Sequence, residues 1–218
     1  MTESLDKRFS KKEEFANALS HGLGTILAIA GLIFLINTAV TRGNIWHIIS
    51  FSTFGATLVL LYLSSTLNHS LPKGKAKDFF HNFDQIAIFL LIAGTYTPIA
   101  LVALKNDWGW HMFGLQWGFA LAGIVAKLFL PNKFEKGVNI FFIISYIVMG
   151  WMVLFFLFPI YRHLPKTGIL LIFLGGFSYT FGTLFFKLEK LPFSHLIWHL
   201  FVIGGSALHW VAIVKYII

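Results

Sequence analysis

Phe193-Ser-His-Leu-Ile-Trp-His-Leu-Phe-Val-Ile-Gly-Gly-Ser-Ala-Leu-His-Trp-Val-Ala-Ile-Val-Lys-Tyr-Ile217 contains one formally charged side chain, Lys215, close to its end. Crossing the hydrocarbon core takes roughly 20 apolar residues in a helix, so this stretch reads as a transmembrane span. It also contains His195 and His199. A histidine inside a span is costly, because its ring nitrogens lose water and must find other partners. At i, i+4 spacing the two rings leave one helix face, about 6 Å apart along the axis. That spacing suits shared ligation of one metal ion, and zinc is the usual occupant of imidazole sites.

The rest of the chain has the same character. Of its 218 residues 57% are hydrophobic and only 12% charged, about half the charge of a soluble domain. Seven stretches can cross a bilayer: Leu19–Val40, Ile45–Leu67, Phe83–Leu104, Trp110–Leu130, Val138–Tyr161, Gly168–Phe186 and Phe193–Ile217. The expected fold is an all-α membrane protein, a seven-transmembrane helix bundle. Its short connections make consecutive helices antiparallel neighbours. Residues 1–14 form a short polar segment and 15–218 the bundle, with no soluble domain and no solenoid repeat. The first fourteen residues are too charged for a cleavable signal peptide. Cysteine is absent, which excludes disulfides and thiolate ligands.

The basic residues orient the bundle. With the N-terminus inside, the inner segments hold Lys7, Arg8, Lys11, Lys12, Lys73, Lys75, Lys77, Lys127, Lys133, Lys136, Lys187 and Lys190. The outer segments hold Arg42, Lys105, Arg162, Lys166 and Lys215. The positive-inside rule then places the N-terminus in the cytoplasm and the C-terminus outside, in a multi-pass protein of the cell membrane. The net charge of +8 is thereby an orientation signal, with some affinity for anionic lipid, and calls for no nucleic-acid partner.

Counting spans brings the polar residues together. His69 closes the second span, Asp84 opens the third, His195 and His199 open the seventh, and Glu14, Asn17, Ser20 and His21 open the first. All lie at one membrane face, whichever way the bundle is inserted. Three histidines with a carboxylate nearby suit a catalytic zinc site, in which three protein ligands leave the fourth position to water and the bound water's pKa falls to about 7. Asp84 could ligate the metal or hold its water by a hydrogen bond. The second is favoured, since a general base must reach the water's proton. His195-Leu-Ile-Trp-His199 lacks the glutamate of HExxH, so a base has to come from another helix.

These residues carry a resemblance. Glu14-Phe-Ala-Asn17-Ala-Leu-Ser20-His21 resembles the ExxNxxSH opening of the progestin and adipoQ receptor family. Ser65-Thr-Leu-Asn-His69 with Asp84, and Ser194-His195-Leu-Ile-Trp-His199 followed by His209, resemble its second and third motifs. Gly94-Thr-Tyr-Thr-Pro98 is similar to the third-helix segment of its bacterial branch, the hemolysin III proteins. The resemblance covers nearly the whole chain. It implies an intramembrane zinc held by His69, His195 and His199, with Asp84 holding the zinc water and Ser65 close by. It also implies kinship with adiponectin receptors and alkaline ceramidases, which are linked to zinc-dependent hydrolysis of ceramide amides. The long cytoplasmic N-terminal region of the eukaryotic receptors is lacking, so hormone binding is not carried over.

Plainer roles compete at several positions. Asp84 could simply satisfy a helix N-terminus, and Ser65 could bond its own backbone turn. Glu14, Asn17 and His21, at i, i+3 and i+7, could cap and join helices, or support the metal pocket from behind and route protons to it. His209 lies about 15 Å beyond His199 along the axis, too far for the same metal. His47, His111 and His163 fall at outer ends, and His81 receives no role. Pro98 is expected to kink the third helix. Gly175-Gly176 and Gly204-Gly205 are expected to permit close helix approach. Function divides three ways: a zinc-dependent lipid amide hydrolase, a non-enzymatic sensor or membrane-homeostasis factor with structural zinc, or a cytolytic membrane protein as the hemolysin name suggests. The partners expected are membrane lipids, with a lipid substrate inside the bundle. Substrate identity and oligomeric state are not legible.

Overall fold

A computed structural model describes residues 9–129, 135–188 and 190–218, with 135–139 as backbone alone. Lys7, Arg8, Leu130, Lys133 and the side chain of Lys136 therefore lie outside the described residues, as does most of the segment expected before the bundle. The described chain is helical: α1 Lys11–Arg42, α2 Ile45–Ser70, α3 Lys75–Pro98, α4 Gly109–Phe129, α5 Glu135–Trp151, α6 Leu157–His163, α7 Lys166–Lys187 and α8 Ser194–Tyr216. Among the described residues seven helices are long and apolar enough to cross a membrane, α5 and α6 forming one of them, Ile140–His163.

The boundaries follow local chemistry. α1 begins at Lys11, earlier than the apolar run at Leu19, because Ser10 and Glu13 form a reciprocal capping box that satisfies its first amides. Asn44 and His47 do the same for α2. Pro98 cannot donate to the helical ladder, and α3 passes it by widening into a π-helical turn, Ile99–Ala103. The span of α5 and α6 is joined through a 3-10 turn, Met152–Phe156. Tyr96 services that break: its hydroxyl donates to the Gly150 carbonyl at 2.6 Å and accepts from the Val153 amide at 2.9 Å. Freed backbone groups in a span need such a partner.

α1 packs on α2 and on α8, α2 on α3, α3 on α4, and α7 on α8, so the last helix closes back on the first. The interior is apolar, built on Leu35, Phe51, Phe54, Leu104 and Met112. Large apolar side chains such as Phe15, Ile26, Ile33, Phe155 and Phe158 point outward, as helices solvated by lipid tails require. α2 and α8 face each other across the interior, where the Tyr62 hydroxyl donates to Ser206 Oγ at 2.7 Å. Glycine makes room for rings here. A Cβ on Gly24 would fall 2.8 Å from the Tyr62 ring, and one on Gly175 2.7 Å from the His209 ring. Gly205 likewise seats Tyr179. Gly176 and Gly204 do not share the expected role, since a Cβ on Gly176 meets nothing within 4 Å and one on Gly204 makes ordinary contact.

Candidate metal centre

The three histidines converge at the end of the bundle where α1 begins. His69 stands in the last turn of α2, and His195 and His199 in the first turns of α8. One ligand nitrogen from each lies within 4.8 Å of the other two, with His69 and His199 buried and His195 partly so. The rings meet edge to face or tilted, with centroids 4.6 Å apart for His195 and His199, and 5.0 and 5.2 Å from these to His69.

α1 offers no nitrogen to this group but orients two of its members. Glu14 Oε2 accepts a hydrogen bond from His69 Nδ1–H at 2.5 Å. The other ring nitrogen, Nε2, is buried and has no hydrogen-bond partner. Ser20 Oγ donates its proton to the Asn17 carbonyl at 2.8 Å and lies 2.9 Å from His199 Nδ1. With its one proton spent, the hydroxyl can only accept, so His199 carries its hydrogen on Nδ1 and turns an Nε2 lone pair inward. A carboxylate or hydroxyl behind a histidine, fixing its tautomer, is the usual support of a metal-ligating imidazole. Leaving the buried His69 Nε2 unpaired would cost about 1–3 kcal/mol. A cation is the partner all three rings can share, so the residues fit a metal ion.

Asp84 stands beside this group, outside it. Its Oδ2 accepts from Asn68 Nδ2 at 3.3 Å, and the buried Ser65 lies beside the carboxylate. Lys77 Nζ bridges the helices below, donating to the Asn68 carbonyl at 2.7 Å and to Glu14 Oε1 at 3.3 Å. From sequence, Asn68 has no role at the site and Lys77 reads only as an orienting charge, although Asn68 adjoins His69 in the chain.

The remaining expected support residues divide. Glu14 makes the interhelical bond described above, while capping of α1 falls to Ser10 and Glu13. Asn17 and His21 are buried, and none of their side-chain polar atoms has a hydrogen-bond partner. His21 instead stacks on His199, with centroids 3.5 Å apart and planes 12° from parallel. His209 lies away from the group and bonds the Ile172 carbonyl at 3.1 Å. Two further residues close the site. The Phe9 ring packs 4.9 Å from the His195 ring and 6.0 Å from that of His69. Glu13 Oε1 accepts from the Phe193 amide at 2.9 Å. Phe193 precedes α8 in the left-handed region, φ 57° and ψ 18°, and that helix has no side-chain cap of its own. Glu13 thus serves both ends at once: Oε2 closes the capping box of α1, and Oε1 caps α8.

Comparison with known proteins agrees with this architecture. The family described as Haemolysin-III related matches residues 9–210. The chain is 45% identical to "Hemolysin-3 homolog" of Bacillus subtilis (strain 168), over 95% of its own length and 96% of that protein's. It is 42% identical to "Hemolysin-3" of Bacillus cereus, over 95% and 93%. It is 30% identical to "Monocyte to macrophage differentiation factor" of Homo sapiens, over 94% and 84%. The chain is therefore a multi-pass membrane protein that belongs to the haemolysin-III family, within the wider progestin and adipoQ receptor group.

Proposed function

We propose that this protein is an intramembrane zinc-dependent hydrolase acting on a lipid amide or related acyl linkage, with His69, His195 and His199 holding the metal. One observation carries the reading: three imidazole nitrogens converge while the neighbouring carboxylate, Asp84, stands outside them and accepts a hydrogen bond from Asn68. That pattern corresponds to three ligands with a fourth position open, the arrangement of catalytic zinc. When bound, zinc supplies Lewis acidity and lowers the pKa of water to about 7.

The chain's own residues do the rest. Glu14 and Ser20 fix the tautomers of His69 and His199. Asp84 accepts the proton of the attacking water and returns it to the leaving nitrogen as the acyl–nitrogen bond breaks. Ser65 steadies that carboxylate and stands within reach of a substrate group. The bundle's interior is apolar, as a lipid substrate's chain requires, and the basic residues favour a cytoplasmic position for this end. Lipid turnover by purified protein in nanodiscs of mixed lipids, followed by mass spectrometry, tests the reading. Asp84→Asn is expected to keep the metal and lose turnover, whereas full turnover by metal-free protein contradicts it.

A second reading, a metal clamp in a homeostasis or sensor protein, has its own support. Phe9 covers His195, and Glu14 and Ser20 bind α1 to the two histidine-bearing helices. On that reading Asp84→Asn changes stability and no lipid is turned over by either protein.

A further inference from the structure

Asn17 and His21 sit one turn apart on the face of α1 that looks into the bundle, exposed by 0% and 3%. Asn17 Nδ2, Asn17 Oδ1 and both ring nitrogens of His21 are buried without a hydrogen-bond partner. The His199 backbone lies beside the His21 ring, outside hydrogen-bonding geometry. Around them stand the His199 ring, stacked on His21, and the edge of Tyr62, whose ring centroid is 5.1 Å from that of His21. The Tyr62 hydroxyl is already committed to Ser206, and the Ser20 hydroxyl to the Asn17 carbonyl.

Four unmet polar atoms at one buried place require a ligand, since buried polar groups in folded proteins are paired. Their chemistry selects it. The amide offers two N–H donors and an acceptor, and a neutral imidazole adds one donor and one acceptor. Donors and acceptors interleave within one helical turn. A cation or an anion would satisfy one kind and be opposed by the other. A lipid tail would satisfy neither. Water donates twice and accepts twice, and buried waters typically make about three bonds to such groups.

We infer that Asn17 and His21 bind a small cluster of ordered waters between α1, α2 and α8, beside the histidine triad and level with His199. The cluster is a hydration site in its own right. As the reservoir from which hydrolytic water reaches the triad, passing the His21–His199 stack, it rests on the hydrolase reading above.

Hydroxyl-radical labelling by X-ray radiolysis in ¹⁸O water tests it on the full chain in nanodiscs, because radicals born from bound water modify adjacent side chains however buried. His21 and Tyr62 are expected to be modified well above Tyr96, a buried tyrosine whose hydroxyl is saturated by the Gly150 carbonyl and the Val153 amide. Asn17→Leu is expected to reduce that labelling and to lower Tm, because it strips partners from the waters. If Asn17 were merely unpaired, leucine would remove unmet polar atoms and raise Tm. Labelling of His21 and Tyr62 no greater than that of Tyr96, or a Tm of Asn17→Leu at or above wild type, would overturn the inference. Labelling in a protein without lipid turnover leaves the hydration site standing and removes only the hydrolase; turnover without labelling does the reverse.

Discussion

Glu14 Oε2 lies 2.5 Å from His69 Nδ1, joining the first turn of α1 to the last turn of α2. The bond makes the carboxylate an acceptor and aims the opposite ring nitrogen at the point where α8 brings His195 and His199. Lys77 adds a cation on the far side of the same carboxylate, at 3.3 Å. Loss of such a partner typically lowers metal affinity about 10–100-fold. Glu14→Ala is expected to weaken zinc binding by that order in a chelator competition. Glu14→Gln, which keeps an oxygen for Nδ1–H, is expected to fall between it and wild type. Equal affinity in all three proteins would remove Glu14 from the site.

Ser20 does for His199 what Glu14 does for His69, with a neutral oxygen and so with a smaller effect. Ser20→Ala leaves Nδ1 with the Asn17 carbonyl as its remaining partner nearby. It is expected to lower zinc affinity by roughly the value of one neutral hydrogen bond, about 1 kcal/mol or some fivefold. The d–d spectrum of cobalt-substituted protein gives a second readout, expected to shift as the His199 ring turns.

The Glu13–Phe193 bond predicts a rescue. A left-handed conformation costs a non-glycine residue about 1–2 kcal/mol, and Glu13 holds Phe193 there, two residues before His195. Glu13→Ala is expected to weaken metal binding several-fold. Phe193→Gly, which removes the strain, is expected to restore most of that loss in the double variant while changing little alone. Additive losses would show that Glu13 acts through α1 and not through α8.

Neighbouring glycines separate packing from helix propensity. Alanine is favoured over glycine inside a helix by about 1 kcal/mol, and Gly176 has open space around it, so Gly176→Ala is expected to hold or raise Tm. Gly175→Ala must push a Cβ into the His209 ring, an overpacking that costs about 1–3 kcal/mol. It is expected to lower Tm and to disturb the bond from His209 to Ile172.

How much of this was legible varies by residue, for physical reasons. Imidazoles and a carboxylate inside apolar runs are conspicuous because burial makes them costly, and span parity alone set His69, Asp84, His195 and His199 at one end. Ser20 was invisible as a support, since a helical serine ordinarily bonds its own turn, as this one also does. Glu13 received no role in the sequence, and nothing in the chain says that one of its oxygens closes a capping box while the other reaches α8. Phe193 carries a backbone conformation that residue type does not announce. Asn17 and His21 shared a face with Glu14, yet helical spacing cannot tell which of three side chains finds a partner. Pro98 was legible as a disturbance of α3, while its resolution as a π turn was not, since a proline's missing N–H says that the ladder breaks and not how it closes again.

The central claim is that His69, His195 and His199 hold one metal ion. Elemental analysis of the purified full chain by inductively coupled plasma mass spectrometry tests it most directly, alongside His195→Ala and His199→Ala proteins of matched purity and helical content. The account predicts about one zinc per chain in the wild type, the number a three-histidine site holds, and its loss from both variants. Wild-type protein that binds no stoichiometric metal after purification and zinc reconstitution, or variants that retain it in full, would contradict the account.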